Sequence, residues 1–219
     1  TGGHFSDMYV RNLGIFYNAV LDARLQSTEE DWLNRQKITL QGLALNLELL
    51  RLSGKEYTTF MPVLGSYYTA TNVYTQPSDS LFGVLYALAA LRDESFVQRL
   101  FPAEQKARYS LQTKKTATEL RNTYKPVLNK AVNDYRNEIL DKKIGLIKKD
   151  ITLSSARDGI KRESAFYDNV ILWATVKLAK EQGILQETQD LTVWKETIIA
   201  AYWDEQQGVF LDDLSDASK

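Results

Sequence analysis

Apolar positions recur at helical spacing through most of this chain. The pattern predicts six helices, which cover approximately residues 7–22, 27–54, 81–92, 101–140, 164–183 and 190–202. Serine or aspartate precedes most of them and a glycine follows several, as expected for helix caps. Only 4 prolines and 11 glycines occur in 219 residues, which suits a helical protein with few tight turns. We therefore predict an all-α fold.

The fifth helix has the most distinctive entrance. Three charged residues, Lys161 to Glu163, lead into Ser164 and then into an apolar helix. Apolar side chains at i, i+3, i+4, i+7 and i+11 form one face of it: Tyr167, Val170, Ile171, Ala174 and Leu178. With Ser164 as the predicted N-cap, Asp168 falls in the first turns of the helix, where a carboxylate is placed to line a cleft.

Other stretches qualify this helical pattern. The third helix is apolar nearly all round, which is typical of burial on several sides. The fourth is long and charged, its sparse apolar positions place it on the outside, and Pro126 is expected to break or kink it. Residues 57–76 predict a short hairpin or an ordered loop, and residues 141–160 a loop or short strand. No flexible linker divides the chain, so residues 1–219 are predicted to form a single α/α-hairpin domain.

The six helices form three consecutive hairpins that echo one another. In each, the first helix is the more apolar and opens with an aspartate beside serine or an aromatic residue, namely Asp7, Asp79 or Asp168. This contrast predicts an inner row of parallel helices and an outer row, with the three aspartates on one rim. The alternative interpretation is that each aspartate is only a helix cap, a position that favours this residue.

Residues 3–12 read Gly-His-Phe-Ser-Asp-Met-Tyr-Val-Arg-Asn. This segment resembles the first inner-helix motif of six-hairpin, (α/α)6-toroid glycosidases, which include glucoamylases, trehalases, processing α-glucosidases and the amylo-α-1,6-glucosidase domain of debranching enzymes. In those families a Tyr/Trp-x-Arg-Asp segment holds the sugar at the cleavage subsite. The resemblance implies this role for Tyr9, Arg11 and Asn12. Asn12 replaces the usual aspartate and offers a hydrogen bond without a charge.

Residues 163–169 resemble a second segment, Glu-Ser-Gly-x-Asp-Asn/x-Ser, of the trehalase-like and processing α-glucosidase members. The aspartate of that segment is the general acid. The resemblance implies this role for Asp168 and leaves Glu163 as the second choice. The present sequence departs from the segment by one additional residue and by the lack of the glycine.

Glycoside hydrolysis requires an acid that protonates the leaving oxygen and a second carboxylate that activates water or attacks the sugar. A helix N-terminus lowers the pKa of such an acid, whereas burial or a neighbouring carboxylate raises it. By resemblance, Asp7 and Arg11 are expected to hold sugar hydroxyls, and Tyr9 or Trp173 to stack on the sugar. The alternative for Trp173 is core packing, because it lies within an apolar helix.

A complete toroid of this kind has twelve helices, and this chain supplies about half of them. In the similar families the second half carries the catalytic base. We therefore interpret the chain as about half of an (α/α)6 toroid, completed by a missing C-terminal half or by a second chain. On this interpretation the isolated chain need not be active. The alternative is a truncated, non-catalytic relative.

Charge and composition exclude several classes of partner. With 27 basic and 28 acidic residues, the net charge is -1, so neither nucleic acid nor an anionic membrane surface is expected as a partner. No apolar run is long enough to span a bilayer, and we expect a soluble protein. The lack of cysteine excludes disulfides and thiolate metal sites. With one histidine, neither a metal nor a cofactor is expected.

The leading hypothesis is a glycoside hydrolase domain, or part of one, that acts on an oligo- or polysaccharide. A second hypothesis is a non-catalytic helical module that binds carbohydrate or protein. A third is a polysaccharide lyase of the α/α-toroid kind, whose chemistry uses Tyr, His or Arg around an acidic sugar. The only histidine, His4, lies in a predicted terminal loop, which counts against the lyase.

Overall fold

The computed structural model describes residues 8–9, 29–54, 59–63, 67–71, 78–92, 103–151, 153 and 160–215. Five helices make up 65% of these residues, which makes the described part predominantly α-helical. The helices are α1 (Glu29–Ser53), α2 (Ser78–Ala90), α3 (Ala103–Ile139), α4 (Phe166–Glu181) and α5 (Leu191–Tyr202). Four of the six predicted helices therefore have the expected positions, and the long one is discussed below.

Short antiparallel strands fill several of the connections. They are β1 (Met8–Tyr9), β2 (Thr59–Val63), β3 (Tyr67–Thr71), β4 (Leu140–Asp141), β5 (Leu146–Ile147), β6 (Trp203–Asp204) and β7 (Val209–Phe210). A three-stranded sheet has the order β1-β2-β3, and the other four strands form two separate hairpins. The hairpin predicted at residues 57–76 is thus present as β2 and β3.

A β-hairpin follows every second one of the described helices. Each of α1, α3 and α5 is followed by a β-hairpin, and the first two hairpins lead into α2 and α4. In space, α1 lies beside α3 and α2 lies beside α4, with further contacts of α1 to α2 and of α3 to α4, and α5 packs against α4. The starts of α2 and α4 are together, because the Tyr167 hydroxyl in the first turn of α4 donates to Asp79 Oδ2 in the first turn of α2, at 3.1 Å.

One apolar core joins these elements. Its buried side chains come from all five helices and from β4–β5, for example Leu47, Leu85, Leu128, Leu172 and Ile198. Burial of this surface is the main favourable term in folding. The N-terminal end of α4 contacts α2 through the Tyr167–Asp79 hydrogen bond and α5 through the Asn169–Tyr202 hydrogen bond.

The first predicted helix is wrong where the structure describes it. Met8 and Tyr9 are a strand, paired with Phe60 and Thr59 of β2. The β2–β3 hairpin presents a free edge, and residues 8–9 satisfy its main-chain groups from a distance of 50 residues along the chain, which local periodicity does not reveal. The rest of the predicted helix lies outside the described residues.

The long helix α3 also differs from expectation. It continues through Pro126 from Ala103 to Ile139 without a break. Pro126 and Asn122 are both exposed, so the carbonyl of Asn122 that loses its partner lies on the solvent side of the helix. One face of α3 is fully buried, with Ala117, Leu128, Val132 and Ile139 at 0% exposure, so α3 is amphipathic rather than external.

Candidate functional site at the start of helix α4

The chain enters α4 through an unusual turn rather than through a conventional cap. Ser164 has a φ of 52° and is the one left-handed non-glycine residue among those described. The N-cap is Ala165, and no side chain accepts a hydrogen bond there. Ser164 was predicted to cap the helix, and this prediction is wrong. Its left-handed conformation is costly for a residue with a Cβ, so long-range contacts must hold it.

Those contacts are hydrogen bonds within a buried network. The Tyr202 hydroxyl donates to the Ser164 carbonyl and lies 3.0 Å from Ser164 Oγ. Asn169 Nδ2 donates to the Tyr202 hydroxyl at 2.8 Å, to the Ala165 carbonyl at 2.9 Å and to Ser164 Oγ at 3.2 Å. Asn169 Oδ1 accepts from the Ile147 N–H at 2.9 Å. The network therefore joins α4 to α5 and to β5.

The network changes the titration of its tyrosine. Burial raises the pKa of Tyr202 to about 12, and the charges of Asp213 and Asp168 act in the same direction. The hydrogen bonds to Ser164 and Asn169 oppose this rise. Tyr202 therefore stays neutral near pH 7 and can donate its proton to the Ser164 carbonyl while it accepts from Asn169.

A second set of contacts clamps the approach to α4 against the end of the β6–β7 hairpin. The Phe166 N–H donates to the Asp212 carbonyl at 2.9 Å, and the Leu214 N–H donates to the Glu163 carbonyl at 2.8 Å. The Glu163 N–H donates to Asp213 Oδ2 at 3.0 Å. Burial tends to raise the pKa of Asp213, but hydrogen bonds from Ser215 and Glu163 outweigh it and hold the pKa below its usual value.

The site brings two buried carboxyl groups to neighbouring helix starts. Asp168, in the first turn of α4, and Asp79, in the first turn of α2, are each 2% exposed. Tyr167 donates to Asp79 and is covalently adjacent to Asp168, so the three residues connect the two turns. A carboxylate at a helix N-terminus is favoured by the positive end of the helix dipole. Burial of two acidic groups in one region is unusual, and such groups mark candidate functional sites.

The buried face of α4 mixes polar and apolar residues, which the apolar pattern did not indicate. The buried residues are Asp168, Asn169, Leu172, Thr175, Val176 and Ala179. Of the apolar face named from the sequence, Val170 is 37% exposed and the other residues are only partly buried. Asn169 and Tyr202, which hold the site together, were missed, because their partners lie on separate elements. The one available signal was a pair of polar residues, Asp168 and Asn169, within an apolar helix.

Glu163 and Trp173 have different surroundings from Asp168. The Glu163 side chain is 42% exposed, and Oε2 lies 3.8 Å from Lys149 Nζ. The indole N–H of Trp173 donates to the Leu191 carbonyl at 2.9 Å, and the ring packs against the core. This contact ties α4 to the start of α5.

The remaining predicted sugar-binding residues belong to the start of the chain. Tyr9 lies on β1, opposite Thr59. Asp7, Arg11 and Asn12 lie outside the described residues, so the predicted rim of three aspartates is described only at Asp79 and Asp168.

Among the residues that the structure describes, no three His, Asp or Glu side chains cluster as metal ligands do. None of the five described helices is both long and apolar enough to cross a membrane. No family model, curated protein or solved structure matches the chain. The two motif segments are therefore the basis of the resemblance.

Proposed function

We propose that this chain is a glycoside hydrolase-type domain of consecutive α-hairpins, about half of an (α/α)6 toroid, with Asp168 as the general acid. The observation that carries the proposal is the 2% exposure of Asp168 in the first turn of α4, where its neighbour Tyr167 donates to a second buried carboxyl group, Asp79, in the first turn of α2. Buried carboxyl groups in one region of a fold are candidates for a functional site.

The chemistry of the position suits a proton donor. A general acid delivers a proton to the leaving oxygen, and a carboxyl group held in a fixed, buried position is suited to this role. The helix N-terminus then stabilises the carboxylate that remains after proton transfer to the leaving oxygen. The buried Asn169–Tyr202 network fixes the main chain on both sides of Asp168, which is the kind of rigid support that a positioned catalytic group requires.

Glu163 remains the second choice for the acid. Its side chain is far more exposed than that of Asp168, and its Oε2 lies 3.8 Å from Lys149 Nζ. Asp7, Tyr9, Arg11 and Asn12 are proposed to bind the sugar, on the strength of the motif alone. Trp173 fits a packing role better than a stacking role, because its indole N–H is bonded within the fold.

A released-sugar screen with Asp168→Asn tests the acid. The variant keeps the size of the side chain but has no proton to donate, so hydrolysis by the full-length protein should fall by roughly two to four orders of magnitude. Asp190→Asn is the matched control, because Asp190 also lies at a helix start but is exposed and serves only as a cap. That control should retain activity within about twofold.

Three outcomes separate the alternatives. Hydrolysis at the wild-type rate in Asp168→Asn would refute the proposed acid, and a large loss in Glu163→Gln instead would transfer the role to Glu163. Oligosaccharide binding by the wild-type protein without any released sugar would support the non-catalytic binding module. Circular dichroism and thermal melting of each variant establish that the fold is intact.

A further inference from the structure

The ends of α3 and α5 carry the same structural unit twice. Residues 139–151 align with residues 202–214 without a gap, 63 residues further along. Asp, Gly and Asp recur at equivalent positions: Asp141 and Asp204, Gly145 and Gly208, Asp150 and Asp213. The apolar strand positions recur as well.

The two units also have the same backbone geometry. Gly145 and Gly208 have φ angles of 72° and 66°. The N–H of each glycine donates at 2.8 Å to the carbonyl of the aspartate four residues before it. The side chain of each aspartate accepts from the N–H two residues later at 2.9 Å. Each unit is therefore a helix followed by an Asp-x-x-x-Gly turn and a two-residue β-ladder.

The units differ in what covers them. In the first hairpin, Leu140, Leu146 and Ile147 are 7%, 6% and 1% exposed. The equivalent residues of the second hairpin, Trp203, Val209 and Phe210, are 44%, 48% and 44% exposed. Trp203 and Phe210 stand in edge contact at 5.1 Å between ring centroids, and Phe210 also stacks on Phe166 of α4 at 4.6 Å. The exposed part of the second hairpin is therefore an ordered aromatic surface.

The first hairpin is covered by the helical hairpin that follows it, α4 and α5. The Trp194 indole of α5 donates to the Gly145 carbonyl at 2.8 Å, and Asn169 of α4 accepts from the Ile147 N–H at 2.9 Å. The equivalent groups of the second hairpin are the Gly208 carbonyl and the Phe210 N–H. In the described part of the chain, neither group has a hydrogen bond to a side chain.

We propose that the β6–β7 hairpin is a docking surface for one further helical hairpin of the α4–α5 kind. This partner presents apolar side chains to Trp203, Val209 and Phe210. Its first helix offers an amide acceptor to the Phe210 N–H, as Asn169 does for Ile147, and its second helix offers an indole-type donor to the Gly208 carbonyl. The proposal follows from the repeated unit and does not depend on the proposed hydrolase activity.

The test extends the full chain by one unit. Residues 1–215 are followed by a second copy of residues 153–215, which supplies a partner of the stated chemistry in the register of the repeat. The chain has no cysteine. A single Val209→Cys in the first copy therefore gives one thiol on the proposed surface, and its rate of labelling by a maleimide reports burial.

In the extended chain, the labelling rate of Val209→Cys should fall roughly tenfold or more relative to the 219-residue protein, because labelling would then require local opening. Two controls should stay reactive. Glu205→Cys lies in the exposed turn of the same hairpin, and its equivalent Lys142 is exposed in the covered unit. In a separate variant, the cysteine replaces Val209 of the second copy, at the new end of the chain. This thiol should label at the rate of Val209→Cys in the 219-residue protein.

The folding of the added unit is followed by circular dichroism and by the melting temperature, which should rise by about 3 °C or more if the new contacts form. An added unit that leaves Val209→Cys as reactive as before, with or without a gain of helix, refutes the proposal. Protection of Val209→Cys in the 219-residue protein by an added maltooligosaccharide also refutes it, because the aromatic surface would then be a sugar platform.

Discussion

Helices α4 and α5 begin in opposite ways, although each has an aspartate near its start. At α5, Asp190 is exposed and its Oδ1 accepts from the N–H groups of Thr192 and Val193, at 2.8 and 3.4 Å. At α4, no side chain caps the first turn, and Asp168 is buried. The first start uses a cap within the helix itself, whereas the second depends on groups from α5, β5 and the chain after β7.

This difference separates a local function of aspartate from a site. An N-cap aspartate satisfies free N–H groups in its own helix and needs nothing else. The start of α4 combines a left-handed Ser164, a buried Asn169 and a buried carboxyl, each of which costs free energy unless it is compensated elsewhere. Compensation by distant elements fixes the geometry of the turn, and this rigidity supports the proposed acid at Asp168.

The largest expected effect is at Asn169. Asn169→Ala removes three donor contacts and leaves the Ile147 N–H without its acceptor in a buried position. Because unpaired buried groups and a cavity both cost stability, we expect the free energy of unfolding to fall by about 3 kcal/mol. Urea denaturation measures it. Asn122→Ala, on the exposed side of α3, should change it by only about 0.5 kcal/mol.

A loss below about 1 kcal/mol at Asn169 would mean that water or a rearranged main chain replaces its hydrogen bonds. The start of α4 would then be no more demanding than the start of α5, and the contrast between them would disappear.

The next effect is at Tyr202, where Tyr202→Phe removes one hydroxyl and keeps the ring. The Ser164 carbonyl and the Asn169 amide each lose a buried partner, so we expect a loss of about 1–2 kcal/mol at pH 7. Thermal or urea denaturation measures this loss. Tyr135→Phe, a partly buried tyrosine of α3, is a comparison variant on the same core.

The pH dependence of this variant provides a sharper measurement. The pKa of Tyr202 is raised to about 12 in the folded protein, whereas an unfolded tyrosine titrates near 10. The neutral hydroxyl is therefore favoured by folding, so its contribution is fully present below about pH 10 and is lost as pH rises to about 12. The wild-type protein should lose about 2–3 kcal/mol more than Tyr202→Phe over this interval. Equal losses in the two proteins would contradict the raised pKa.

The sequence predicted the parts of the fold that depend on neighbouring residues. The second, third and sixth predicted helices and the 57–76 hairpin follow from periodic apolar positions, caps and breakers, and all four are present. The β1 strand was missed, because pairing of Met8 with Phe60 depends on a strand edge far along the chain. Continuation of α3 through Pro126 was missed, because a proline on the solvent side costs less than one facing the core.

The candidate site shows the same division. The place of Asp168 in the first turns of α4 was predicted with Ser164 as the N-cap; the N-cap is Ala165 instead, and Asp168 lies in the first turn. Its burial was not predicted, because an apolar face is expected to turn inward, whereas Asn169 turns inward here with hydrogen bonds from β5 and α5. Polar residues are buried only where distant partners exist, and no spacing rule contains that information.

The smallest expected effect is at Asp190, the local cap. Asp190→Ala removes the acceptor for the Thr192 and Val193 N–H groups, which should lower the free energy of unfolding by about 1 kcal/mol, or the melting temperature by about 2–4 °C. Asp190→Asn keeps the acceptor and should restore most of this loss. If Asp190→Ala costs as much as Asn169→Ala, the α5 start also carries long-range structure, and the distinction between a cap and a site would have to be drawn elsewhere. The other outcome is a cost of about 1 kcal/mol with no change in sugar release or in maleimide labelling of Val209→Cys. The cap then acts only on the local stability of α5, and the buried groups at the start of α4 account for the larger loss at Asn169.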